Sequence, residues 1–252
     1  MPQYGFFYDQ TRCVACHSCT VACKGWNGID AGPEKWLRVY EWEKGSFPNP
    51  RLYTLAYPCG HCKDPKCIDA CPNKAIYKED KYGAVLVDTE KCKGARACWT
   101  ACPYGTPQFE SEEPGTKMSK CTMCIDRLEQ GLKPICVMTC PMRAWDFGPL
   151  DELIAKYGDN RQLEGMPDPT ETKPSIVFKP LPATKKQLIP YNVDEALAVF
   201  AKREGYGKVL PPVFTSKADV TDVPEGLVGR SKLIMKPKNL EELMRVTKVD
   251  DA

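Results

Sequence analysis

The stretch CVACHSCTVAC, Cys13–Cys23, sets four cysteines at C-x2-C-x2-C-x3-C spacing. Cys13, Cys16 and Cys19 share one loop, where their sulfurs can converge on a single inorganic centre. Cys23 lies one helical turn further on, roughly 6 Å of rise away. Its sulfur is therefore carried towards a neighbouring centre. The same step separates Cys67 from Cys71, Cys98 from Cys102, and Cys136 from Cys140.

Working outward, all 15 cysteines fall into four groups. The first is Cys13, Cys16, Cys19, Cys23, and the second is Cys59, Cys62, Cys67, Cys71. The third is Cys92, Cys98, Cys102, and the fourth is Cys121, Cys124, Cys136, Cys140. An odd count with tight, recurrent spacing argues for metal rather than disulfides. The first spacing is an iron–sulfur run of bacterial ferredoxin type. The other three runs end in Cys-Pro: CPNKAI, CPYGTP and CPMRAW. The chain therefore carries an internal repeat with variable loops. C-x2-C pairs also build zinc ribbons, so a colourless zinc-stabilised interaction module is the competing reading. Three cysteines per loop followed by Cys-x3-Cys-Pro favour iron–sulfur clusters.

In ferredoxins with two clusters the fourth cysteine of each run ligates the other cluster. Four runs then make two reciprocal pairs. Runs two and three flank the strand-like GAVLVD, Gly83–Asp88, and pair together, which leaves runs one and four. The expected sets are Cys13, Cys16, Cys19 with Cys140, and Cys121, Cys124, Cys136 with Cys23. The other two are Cys59, Cys62, Cys67 with Cys102, and Cys92, Cys98 with Cys71. The last set has only three sulfurs, because KCKGARACWTACPYG (Lys91–Gly105) places Ala95 where the spacing asks for cysteine. The expected complement is three [4Fe-4S] clusters and one [3Fe-4S] cluster. A fourth [4Fe-4S] cluster with a water or other non-cysteine ligand at the Ala95 site is the alternative. Losing an iron changes cluster charge and hence potential, so Ala95 tunes one station in the relay.

Other chemistry is poorly supported. The two histidines, His17 and His61, sit inside cysteine runs and form no triad. No G-x-G-x-x-G or P-loop occurs, so flavin, nicotinamide and nucleotide binding lack support. Lysines and arginines (35) nearly balance acidic residues (33), which leaves no nucleic-acid footprint. Trp99 and Trp145 are expected to shield clusters from water. The opening MPQYGFFYDQ lacks a secretory pattern, and no apolar run is long enough to span a bilayer. The expectation is a chain that is cytoplasmic, or exported folded beside a partner that carries the signal.

Beyond residue 150 the cysteines stop. Asp151–Tyr157 suits a short helix ending at Gly158, and 165–190 reads as extended. Val193, Ala196, Leu197 and Phe200 have helical spacing, and Asn239 can cap a last helix. The fold class is α+β: two interlocked ferredoxin-like lobes within residues 1–150, then residues 151–252 as a long extended and helical extension.

Several stretches closely resemble the four-cluster electron-transfer subunit of dimethyl-sulfoxide-reductase-type molybdenum enzymes. They are QYGFFYD (3–9), ACK (22–24), PCGHCKDPKCIDACPNKAIYKED (58–80), CPYGTPQF (102–109), KCTMCIDRLEQGLKPICVMTCP (120–141), RAWDFGPLDEL (143–153) and PSIVFKP (174–180). The resemblance implies a subunit that wires a large molybdenum- or tungsten-pterin catalytic chain to a second redox partner, a membrane anchor or a soluble carrier. It agrees with the crossed cysteine pairing. Similar subunits of nitrate-reductase and ethylbenzene-dehydrogenase type also depart at the Ala95 position and hold [3Fe-4S]. The wiring subunit of a formate dehydrogenase or hydrogenase-like complex is the alternative assignment.

Overall fold

The computed structural model describes residues 2–45, 51–182, 194–195, 198 and 232–247. Strand β1 (Tyr4–Asp9) is almost wholly buried, because it is the middle strand of a three-stranded sheet. On one side it pairs antiparallel with β8 (Trp145–Pro149), and on the other parallel with β9 (Ile176–Lys179). That position explains the near-continuous apolar run YGFFYD, since a strand covered on both faces does not alternate. Gly5 is obligatory here: a Cβ would stand 2.3 Å from the Ser175 carbonyl oxygen. Helix α6 (Leu150–Tyr157) lays Leu150, Leu153, Ile154 and Tyr157 against Phe7 and Val177. The Phe7 and Tyr157 rings stack 3.6 Å apart.

Four strands form two further small sheets. β4 (Ile76–Lys78) pairs antiparallel with β5 (Val85–Val87), and β6 (Gln108–Phe109) with β7 (Met118–Ser119). Strands β2 (Arg38–Lys44) and β3 (Arg51–Tyr57) make a ribbon. Five short helices carry the cysteine runs: α1 (Ser18–Asn27), α2 (Lys66–Asp69), α3 (Ala97–Ala101), α4 (Ile125–Leu128) and α5 (Ile135–Met138).

One local arrangement occurs twice. Asp9, at the end of β1, donates its N–H to the Ala144 carbonyl at 2.8 Å; Asp88, just after β5, donates to the Ala75 carbonyl at 2.7 Å. Both aspartates precede the first cysteine of a run, Cys13 and Cys92, by four residues. Their partners each follow the last cysteine of another run, Cys140 and Cys71, by four. Helices α2 and α5 both begin immediately after a proline, Pro65 and Pro134.

The chain divides into two compact units. One comprises Met1–Glu41, Thr54–Leu181 and Leu233–Ala252; the other comprises Trp42–Tyr53 and Pro182–Lys232. In the second, Trp42 stacks on Tyr53 with centroids 5.4 Å apart. In the first, residues beyond 232 return to the third cysteine run. The buried Arg38 guanidinium donates to the carbonyls of Tyr104 at 3.1 Å, Gly105, and Met235 at 3.4 Å. Lys236 donates to the Thr100 carbonyl at 2.8 Å and lies 4.6 Å over the Trp99 ring. Gly105, at φ +59°, allows this approach, since a Cβ there would stand 2.9 Å from the Met235 oxygen. The final helix α7 (Leu240–Thr247) is capped as its sequence predicts: Asn239 Oδ1 accepts from the Glu242 N–H at 2.8 Å. Helix α6 starts one residue earlier than Asp151 and stops at Gly158. The helix expected around Val193–Phe200 lies almost wholly outside the described residues.

Candidate metal centres

The cysteines gather in cavities, and the gathering crosses between runs. Cys59, Cys62, Cys67 and Cys102 line one cavity. Cys121, Cys124 and Cys136 line another with Cys23. Cys71, Cys92 and Cys98 line a third. Ala95 stands on the wall of this third cavity, beside Ile76, Phe109 and Met118. Cys19 is within electrostatic reach of Cys13, Cys140 and Cys16, each of which raises its pKa.

The loops are built to present backbone donors to sulfur. The residue two beyond the first cysteine has positive φ in every run: Ala15 (51°), His61 (40°), Gly94 (72°) and Met123 (61°). In three of them that turn aims an N–H back at the cysteine, from Ala15 to Cys13 and His61 to Cys59 at 3.5 Å, and from Met123 to Cys121 at 3.4 Å. A second turn follows two of the Cys-Pro pairs. Lys74 (48°) and Arg143 (52°) are left-handed, and the next N–H groups, of Ala75 and Ala144, reach Cys71 and Cys140 at 3.3 Å. Left-handed geometry costs an L-residue roughly 1–2 kcal/mol. Its repetition at non-glycine positions points to a function for the N–H groups, which is to stabilise negative charge on sulfur.

Burial acts in the opposite direction on the free thiols. Burial first, then the neighbouring thiols, push Cys19, Cys67 and Cys121 up to about 12. The same causes raise Cys23, Cys62 and Cys136. Thiols packed this closely hold their protons until a cation replaces them, so metal binding here releases protons. Among the described residues, no group of three or more Cys, His, Asp or Glu side chains converges tightly enough for a single metal ion. Sulfurs ringing a cavity suit a polynuclear cluster. The Tyr57 hydroxyl, fully buried beside Gly60 and without a hydrogen-bond partner, also fits a site whose occupant supplies acceptors.

His61 is a structural pin. Its Nδ1 accepts from the Val85 N–H at 2.9 Å, tying the second run to β5. Burial, then the Lys120 and Lys78 ammonium groups, hold it well below the usual histidine range, so it stays neutral. Trp145 is buried, and Trp99 packs against the core that contains Cys92 and Cys98.

A family model described as a 4Fe-4S dicluster domain matches residues 51–150. One polypeptide of the anaerobic dimethyl sulfoxide reductase of Escherichia coli K12 is 44% identical over 187 residues, 71% of this chain and 89% of that one. A sulfite dehydrogenase subunit from Allochromatium vinosum is 34% identical over 214 residues, 75% of this chain and 88% of its own. Hydrogenase-2 operon protein HybA of E. coli O157:H7 is 33% identical over 175 residues, 60% of this chain and 53% of its own. The protein belongs to the iron–sulfur subunits of the dimethyl sulfoxide reductase family. As such a subunit it is an electron relay.

The surroundings of the cysteines were not readable from the sequence. The buried Lys120, bonded to the Val85 and Cys121 carbonyls, could not be told from a solvated lysine. The left-handed turns at Ala15, His61 and Met123 carry no glycine to announce them. No helix among the described residues is long and apolar enough to cross a membrane.

Proposed function

We propose that this subunit relays electrons between a large molybdenum- or tungsten-pterin catalytic chain and a second redox partner, and has no catalytic site of its own. The carrying observation is that cysteines from different runs line common cavities. The proposed ligand sets are Cys13, Cys16, Cys19, Cys140; Cys121, Cys124, Cys136, Cys23; Cys59, Cys62, Cys67, Cys102; and Cys92, Cys98, Cys71. When bound, the clusters supply one-electron redox chemistry. The chain's residues hold them, direct N–H groups at their sulfurs and exclude water with buried aromatic side chains. The first three sets are closed by four sulfurs, which leaves no coordination position for a substrate.

The Ala95 set holds [3Fe-4S] in this reading. A methyl group offers iron no ligand, and the cavity beside Ala95, although Asn73, Lys93 and Arg96 line it with apolar residues, has no histidine, carboxylate or hydroxyl side chain on its walls. The architecture is two interlocked lobes, runs one and four in one and runs two and three in the other. The matching hydrogen bonds from Asp9 and Asp88 support it. Residues 151–252 form an extension that contacts the catalytic chain. The second partner is a membrane anchor or a soluble carrier, and the subunit is cytoplasmic or exported folded with its catalytic partner.

The test is anaerobic purification with iron and acid-labile sulfide quantified, followed by low-temperature EPR. A three-iron signal on mild oxidation, alongside reduced four-iron signals, is the expected result. Absence of labile sulfide would overturn the whole reading. Similarity to HybA favours a second reading, a hydrogenase-like complex. Molybdenum or tungsten in the co-purified complex supports the first reading, and nickel the second.

A further inference from the structure

The four cysteine groups differ in what faces their sulfurs. Around Cys71 and Cys92 the donors are backbone N–H groups, of Ala75 and Met118, each at 3.3 Å. Around Cys59, Cys62, Cys67 and Cys102 there are hydroxyls as well. Thr106 Oγ1 lies 3.4 Å from Cys102 Sγ, and both residues are buried. Thr172 is also buried. Both threonines line the same cavity as those cysteines. Behind Thr172, the Tyr104 hydroxyl stands 3.4 Å from Thr172 Oγ1.

Protonation decides the direction of these bonds. A free thiol could donate to a threonine, but a sulfur bound to iron has no proton to give. With metal in place, Thr106 donates to Cys102. Thr172 gives its own hydroxyl proton to the Tyr104 oxygen. One of the four ligand sulfurs thus accepts a buried hydroxyl proton. Such bonds favour the more negative, reduced cluster and raise its potential.

We infer that Thr106 is a positioning residue that sets the reduction potential of the cluster held by Cys59, Cys62, Cys67 and Cys102. The assignment rests on the ligand sets proposed above. It makes this cluster easier to reduce than its four sulfurs alone would make it.

The experiment is an EPR-monitored redox titration of the iron-loaded complex carrying Thr106→Val. The change is expected to shift one cluster's oxidised-to-reduced ratio about threefold towards oxidised at a given potential, where tenfold is 59 mV for one electron. The other three midpoints stay in place, and Thr106→Ser restores the wild-type value. Unchanged midpoints in Thr106→Val, at full iron content, would overturn the inference while leaving the proposed function intact. So would a serine variant that shifts as far as valine. A wild-type complex without cluster signals overturns both.

Discussion

The first and third cysteine runs share a scaffold and differ in one ligand. In the first, the residue before helix α1 is His17, left-handed at φ 60°; in the third, the residue before α3 is Arg96 at 57°. The His17 carbonyl accepts from the Thr20 N–H at 2.8 Å and the Val21 N–H at 3.0 Å. The Arg96 carbonyl accepts from Trp99 at 3.0 Å and Thr100 at 3.3 Å. Cys16 and Ala95 occupy matching places before these residues. Cys16 and Ala95 are both exposed, and Ala95 stands at the cavity lined by Cys71, Cys92 and Cys98. The loop therefore keeps its shape without the middle sulfur. Its turns are fixed by backbone hydrogen bonds, so one ligand can change without dismantling the site.

Exchanging the two residues tests that directly and carries the largest expected effect. Ala95→Cys should add one iron per chain and abolish the three-iron EPR signal. Cys16→Ala should do the reverse in the first run, creating a three-iron signal. Because Cys16 is exposed, its loss should change stability by no more than about 0.5 kcal/mol before metal is counted. If neither substitution alters iron content or the EPR signals, the two loops are not equivalent.

The turn two residues beyond the first cysteine gives the next effect. Ala15 and Gly94 are both left-handed, at φ 51° and 72°. A Cβ on Gly94 would stand 2.6 Å from the Gly115 carbonyl carbon and 2.7 Å from the Thr116 oxygen, all of it backbone. Gly94→Ala should therefore cost about 3 kcal/mol, combining left-handed strain with a collision. An anaerobic thermal melt would show a fall of roughly 10 °C. Ala15→Gly removes strain and adds chain entropy, so it should change stability by less than about 1 kcal/mol. Similar melts for the two variants would mean that the β6–β7 loop does not press on the third run.

What the sequence revealed follows from the range of each cause. Cysteine spacing is local, so the sulfurs and the gap at Ala95 were legible. So were the last helix, capped by Asn239, and α6, ended by Gly158, because capping acts within one turn. The parallel pairing of Phe6 with Ile176 was not legible, since nothing near either residue names the other. Nor was the hold of Arg38 on Tyr104, Gly105 and Met235, where an arginine on a strand reads as an ordinary exposed side chain. Thr106 carries no motif. Its meaning arises only where the fold sets a hydroxyl beside a sulfur.

Arg96 provides the smallest and most local test. Its guanidinium donates to the Ser111 carbonyl at 2.6 Å and sits 4.3 Å over the Phe109 ring. Phe109 belongs to the buried cluster that holds Cys92 and Cys98. A hydrogen bond from a charged group is worth about 1.5–3 kcal/mol when buried, and a partly exposed cation–π contact about 0.5–1 kcal/mol. Arg96 is only half-buried, so Arg96→Ala should cost about 1–2 kcal/mol, or roughly 5 °C in the same melt. Alanine meets the same left-handed strain at φ 57°, so the backbone contributes nothing to the difference. Arg96→Lys keeps the charge but loses the planar contact with Phe109, and should recover less than half of the loss. Full recovery by lysine would show that net charge near the site, and not the guanidinium bridge to Ser111 and Phe109, holds this loop where the first run uses His17.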